Sequence, residues 1–252
     1  MKHFHVISFT KFKRWLLISG LAFLTAFVIW IGNNGIVSIF SNDNPVALSK
    51  GNANEPNIAL TFNISWGEER VHEILDKLSH HQVQATFFVS GEWAERHPSI
   101  LEKISEGDHE LGMLGYRYTS YLEQELDQVR RDLAYADEIF NKLGYEDITL
   151  LRPPHGHFNE EILSLAKDMN YQVIHWNINT NDWENPGKQA IIDKTMKDTN
   201  KGDIILMHAS DSAKQTADAL DTILPGLKNK GFHFVPMTEL INQAHAEAKL
   251  VE

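Results

Sequence analysis

Residues 57–81 read NIALTFNISWGEERVHEILDKLSHH. The run Ile58-Ala59-Leu60-Thr61-Phe62 is short and almost wholly apolar, the pattern of a strand buried on both faces. A polar bend follows. Val71, Ile74, Leu75 and Leu78 then recur at helical spacing, so Glu69 to His81 reads as an amphipathic helix. A buried strand that runs at once into a one-faced helix is the unit from which parallel sheets are built.

The unit recurs outward from this stretch. Further strands are predicted at Ala85–Val89, His109–Gly112, Ile148–Leu151, Tyr171–Ile178, Asp203–Met207 and Phe232–Val235. Helices are predicted at Glu92–Glu106 with a break near Pro98, and at Tyr121–Leu143 with Gly144 as its stop. Others follow at Glu160–Met169, Gln189–Thr199, Gln215–Asn229 and Thr238–Ala248. The strands are short and evenly spaced, and no glycine-rich phosphate loop follows the first one. The expected fold is therefore α/β, a distorted (β/α) barrel of about seven strands over residues 57–248, closed or nearly so, rather than an open doubly wound sheet.

The 252 residues are 42% hydrophobic and 23% charged, ordinary for a folded chain. A net charge of −11 repels a phosphate backbone, so no nucleic-acid partner is expected. The absence of cysteine excludes disulfides, thiolate metal sites and a Cys nucleophile.

Residues 1–14 are basic, with Lys2, Lys11, Lys13 and Arg14 and no acidic side chain. The uncharged run from Trp15 to Ile31 approaches the ~20 residues that cross a bilayer core. It carries Trp15 and Trp30 near its ends, and the next positive residue is Lys50. The expectation is a single transmembrane anchor at 15–31, N-terminus cytoplasmic, followed by a linker over 32–56 and an extracytoplasmic domain. A cleaved signal fits less well, because the apolar core is long and Gly32-Asn33-Asn34-Gly35 offers no small-residue cleavage site.

In barrels the chemistry lies at the C-terminal ends of strands. Asp182 and His208 follow two neighbouring strands, and a carboxylate beside an imidazole fixes its tautomer for acid–base work. Arg152 precedes two prolines, so a fixed guanidinium could orient an anionic group. A structural His–Asp pair with Arg152 in a salt bridge explains the same residues equally well. Among the aromatics, Trp66 and Trp183 are the better candidates for stacking on sugar, ahead of Trp93, Tyr116 and Trp176.

The strand-end segments are Thr61-Phe62-Asn63-Ile64, Gly112 to Tyr118, Arg152-Pro153-Pro154-His155-Gly156, Asp182-Trp183 and Leu206-Met207-His208. In this order they resemble the five motifs of the NodB-type polysaccharide deacetylases, carbohydrate esterase family four. The resemblance runs from Ile58 to about Leu240. SWGEER, AERHP and HASDSAKQT, with the anchor, resemble the sporulation-type, PdaB-like branch. The family removes N-acetyl groups from chitin-like or peptidoglycan sugars with a divalent metal, usually zinc, held by one Asp and two His.

The resemblance implies that His208 stands at the general-acid position, Asp182 at the position that tunes it and Arg152 at the one that orients the base. Trp183 and Leu206 stand at the walls around the acetyl group. At the base position is Asn63, and at the metal positions are Ile64, Leu114 and Tyr118, a set without a zinc ligand or a base. No metal cofactor is therefore expected, with His155 and His157 as the only substitutes to weigh. The expected partner is peptidoglycan or a related wall polysaccharide. The function implied is a wall-glycan deacetylase-family protein of spore formation, or a glycan-binding pseudoenzyme or tethered scaffold on the same fold.

Overall fold

The computed structural model describes residues 45–248, so the expected anchor at 15–31, the basic segment before it and the linker up to residue 44 lie outside the described residues. No described helix is long and apolar enough to cross a membrane.

The first strand, β1 (Asn57–Ile64), is buried along its whole length. Its parity divides the molecule. Ile58, Leu60, Phe62 and Ile64 pack into the cluster that includes Val71, Ile74 and Leu78 of the helix α1 (Arg70–His80). Ala59 points the other way, into an inner cluster with Phe88, Leu114, Leu150, Ile174 and Ile204. Thr61 and Asn63 share that inner face by the two-residue period of a strand. Each large aliphatic or aromatic side chain buried here contributes about 1.5–3 kcal/mol.

Around β1 lie β2 (Thr86–Val89), β3 (Glu110–Met113), β4 (Leu150–Leu151) and β5 (Gln172–Val173) on one side. On the other lie β7 (Ile204–His208) and β6 (Ile178–Asn179), and the order β5-β4-β3-β2-β1-β7-β6 is parallel throughout. The last strand, β8 (His233–Phe234), pairs with the start of β1. Seven strands as expected form the path, but the closed barrel is corrected: β5 and β6 are its two ends, and the result is a half-barrel.

The reason lies in residues 174–177. One strand was expected over Tyr171–Ile178, yet the carbonyls of Ile174 and His175 accept from the Arg152 guanidinium (3.3 and 3.2 Å). Meanwhile Leu48 pairs with Ile174, its N–H donating to Val173 O and its carbonyl accepting from His175 N–H. Lys50 pairs with Asp203 and reaches its carboxylate at 2.9 Å. From Leu48 onward, then, the stretch read as linker is attached to the open side of the sheet.

One helix reading holds and another shifts. The break near Pro98 separates α2 (Gly91–Arg96) from α3 (Pro98–Glu106), with the proline at the first turn where its missing N–H is harmless. The helix expected from Tyr121 starts later, as α4 (Leu126–Lys142), because Glu125 and Gln128 form a reciprocal capping box behind the turn Tyr121–Glu123. The remaining helices are α5 (Glu160–Asp168), α6 (Lys188–Asp198), α7 (Thr216–Asn229) and α8 (Met237–Ala248).

One buried group gives the fold a pH dependence. His109 lies against Phe87, and its Nδ1 accepts from the Ala85 N–H (3.3 Å). Burial pushes its pKa down to about 4. The unfolded chain takes up this proton near the usual 6.5, so its contribution is fully present above that pH and lost as pH falls toward 4. Wild type should lose up to about 3 kcal/mol over this window through His109. Urea melts of wild type and His109→Phe between pH 4 and 7 check this; equal slopes would refute it.

Candidate active-site cavity

A cavity of about 450 Å³ opens at the C-terminal ends of the strands. Asn63, Trp66, Tyr118, His155, His157, Trp183, Leu206 and His208, all singled out in the sequence, line it. Arg152 and Asp182 are fully buried behind this wall. Ile64 and Leu114 are not in the lining: Ile64 turns into the helix-side core, and Leu114 packs in the inner cluster.

Asp182 sits in the turn Asp182–Glu184 that follows β6. Its Oδ1 lies 2.8 Å from Nδ1 of His208 at the end of β7. Its Oδ2 accepts from the His208 backbone N–H (2.8 Å) and from the Thr216 hydroxyl (2.6 Å). A carboxylate only accepts, so Nδ1 of His208 carries the proton and Nε2 is left for the cavity. Thr216 was missed in the sequence; the polar run before it, 208–215, was the available signal.

Among the described residues Arg152 forms no salt bridge. Its Nη1 donates to Asn63 Oδ1 (2.9 Å) and its Nη2 to Thr61 Oγ1 (3.0 Å). Its other acceptors are the two carbonyls of Ile174 and His175. The guanidinium lies 4.0 Å from the Phe88 ring centroid and 5.4 Å from that of Trp176. Burial without a carboxylate pushes its pKa down to about 9, still high enough to keep it charged at neutral pH. Thr61 completes the chain by donating to Ile205 O (2.7 Å).

The positions that the resemblance assigns to a metal do not fit one. Ile64 and Leu114 carry no donor atom. Tyr118 lines the cavity with Asn63, and burial raises the pKa of its hydroxyl, so it stays a neutral phenol. His155 and His157 stand 5.7 Å apart between ring centroids, and Nδ1 of His157 is 3.1 Å from the Ser120 hydroxyl. Among the described residues no three His, Asp or Glu side chains gather in a metal-holding group. His155 holds a left-handed backbone (φ 58°) at the cavity rim, against Tyr118 (4.4 Å between centroids).

The aromatics sort by exposure. Trp66 and Trp183 are 62% and 50% exposed at the cavity mouth. Trp176 is a cavity wall stacked on His175. Trp93 is a core residue whose indole N–H donates to Gly67 O (2.6 Å). Tyr116 packs on Tyr135 outside the cavity.

A sequence profile of the polysaccharide deacetylases matches residues 50–174. A peptidoglycan-N-acetylglucosamine deacetylase of Bacillus cereus is 33% identical over 192 residues, 75% of this chain and 70% of that protein. The peptidoglycan-N-acetylmuramic acid deacetylase PdaA of Bacillus subtilis is 30% identical over 195 residues, 76% of this chain and 73% of its own. Among solved structures, a CE4 family pseudoenzyme from Bacillus anthracis superposes with a TM-score of 0.75 at 29% identity, covering 80% of this chain and 71% of its own. A mutant of that pseudoenzyme with restored enzymatic activity superposes equally well, with a TM-score of 0.75.

Proposed function

Because this chain belongs to the polysaccharide deacetylase family, carbohydrate esterase family four, we propose that it binds N-acetylated wall glycan of the peptidoglycan type as a non-hydrolysing member. The observation that carries this reading is Asn63. The amide stands where the family places its base, its Oδ1 accepting from Arg152 Nη1 (2.9 Å), with Tyr118 beside it in the cavity lining. An amide takes no proton, and neither Ile64 nor Leu114 offers a ligand, so the half of the chemistry that would make the nucleophile is missing. The binding half is kept: exposed Trp66 and Trp183 at the mouth, Leu206 as a wall, and His208 held by Asp182.

In this reading residues 15–31 anchor the protein in the cell membrane with the domain outside, in the PdaB-like, sporulation-type branch, serving spore wall or cortex formation. A tether keeps the domain near newly made wall polymer, and raised local concentration lets a weak binder act there. A second reading, a weak N-deacetylase, is favoured by the intact Asp182–His208 hydrogen bond (2.8 Å).

Two measurements separate the readings. The protein should co-sediment with purified peptidoglycan, and Trp183→Ala should weaken this about tenfold, in line with the loss of a buried aromatic contact. Acetate release from peptidoglycan and N-acetylglucosamine oligomers should stay at background, with no divalent metal retained in the purified protein. Metal-dependent acetate release would establish the second reading; sedimentation unchanged in Trp183→Ala would sink the first.

A further inference from the structure

We infer that residues 47–51 are a positioning strap for the cavity. Docked in the seam between β5 and the start of β7, they hold the Trp176 wall and the Arg152–Asn63 pair in place, so that a bound ligand and the docked strap stabilise each other. The ligand half of this inference rests on the glycan-binding reading above.

The strap fastens residues 173–177 at both ends. At one end the Leu48 N–H donates to Val173 O (2.9 Å), and Leu48 O accepts from the His175 N–H (2.7 Å). At the other, Lys50 Nζ lies 2.9 Å from Oδ1 of the buried Asp203, and the same oxygen accepts from Asn177 Nδ2 (2.6 Å). Trp176 stands between the two fastenings as a cavity wall, its ring stacked on His175 at 3.9 Å between centroids. From the strap a series of hydrogen bonds runs into the cavity. Leu48 O takes the His175 N–H, His175 O takes Arg152 Nη2 (3.2 Å), and Arg152 Nη1 donates to Asn63 Oδ1 (2.9 Å). None of residues 47–51 lines the cavity, so Leu48 and Lys50 act on it only through these groups.

The seam is shaped to seat this segment. The Gly51 N–H donates to Gly202 O (2.7 Å). Gly202 has φ +79°, and a Cβ there would fall 2.7 Å from Asn52 O, so only glycine lets the strap lie this close. Leu48 packs on the inner cluster together with Trp176, while Ala47 packs against the helix-side cluster, so the strap closes the open side of the sheet in both layers. With the strap lifted, Val173 O and the His175 N–H lose their partners and the inner cluster opens beside Trp176. A ligand that needs Trp176 and Asn63 in place must then supply the free energy of docking the strap again. Docked and lifted strap are thus two states with different affinity for the ligand, and the coupling is reciprocal.

Calorimetry and hydrogen exchange on the full-length protein in detergent test this, with a linear N-acetylglucosamine oligomer as the probe. Lys50→Ala and Leu48→Gly should each weaken oligomer binding about threefold, as for a cavity that is competent about a third of the time, and Lys50→Arg should restore it. Lys50→Ala should also shift the nitrogen-15 resonance of Arg152 Nε, which donates to Ile174 O (3.3 Å). In the wild type the oligomer should slow amide exchange at residues 47–51 about threefold, a response that a merely structural strap would not give. An oligomer that binds both variants as tightly as the wild type, or that binds and leaves exchange at 47–51 unchanged, would overturn the strap and spare the glycan-binding reading. If no oligomer binds at all, that reading falls, and the positioning role is decided by Lys50→Ala alone. A displaced Arg152 Nε resonance with faster exchange at residues 173–177 then supports it, and an unmoved one refutes it.

Discussion

Arg152→Lys is expected to lower stability by about 3–5 kcal/mol, although it keeps the charge. The guanidinium fork reaches four acceptors at once: Asn63 Oδ1, Thr61 Oγ1 and the carbonyls of Ile174 and His175. Its flat face lies on Phe88. A lysine ammonium has three donors on a flexible stem, stacks poorly and is more strongly hydrated, so burying it costs more while fewer acceptors are met. Arg152→Met strands the same acceptors but also removes a buried charge that has no carboxylate partner. Opposing terms of this kind make methionine no worse than lysine at this site. Asn63→Asp moves the other way, because it supplies the missing counter-ion 2.9 Å from Nη1. The arginine then depresses the new carboxylate, so that gain is present above pH ~4 and lost as pH falls through the folded pKa. Urea denaturation of the three variants decides the matter. A lysine variant within about 1 kcal/mol of wild type would show that charge, not fork geometry, holds the site.

How far such features were legible depended on whether their cause was local. β1 could be read because a continuous apolar run bounded by a polar bend admits few alternatives. Even the site was signalled in it, since Thr61 and Asn63 are two polar residues at strand spacing and therefore share one face. The Pro98 break was equally local. What stayed hidden came from distant partners. Nothing in Tyr171–Ile178 announces that Arg152 and Leu48 will take the backbone groups of residues 173–175 and split the strand. The same holds for Thr216 on Asp182 and for Asp211 across the Trp66 loop. The base position and the metal position beside it show a further limit. Spacing set Asn63 and Ile64 side by side, but strand parity sends one into the cavity wall and the other into the helix-side core.

Asp182→Ala should cost about 3–5 kcal/mol, the largest effect expected of any single carboxylate here. Three donors lose their acceptor at once: the His208 backbone N–H, His208 Nδ1–H and the Thr216 hydroxyl, around a side chain with no exposure at all. Thr216→Val removes only one of these and should cost about 1 kcal/mol. Asp182→Asn separates shape from chemistry. Its single oxygen can serve the His208 backbone N–H and Thr216, which turns the amide NH₂ toward Nδ1 of His208. Nδ1 must then accept, and the ring proton moves to Nε2, so the atom facing the cavity changes from acceptor to donor. Nitrogen-15 shifts of His208 should therefore exchange between the two ring positions in Asp182→Asn while the fold persists. Glycan hydroxyls that donate to Nε2 in the wild type would lose that bond, and binding should weaken about threefold to tenfold. If the tautomer flips and binding is unchanged, His208 does not touch the bound sugar, and the retained Asp182–His208 pair serves the fold rather than the ligand.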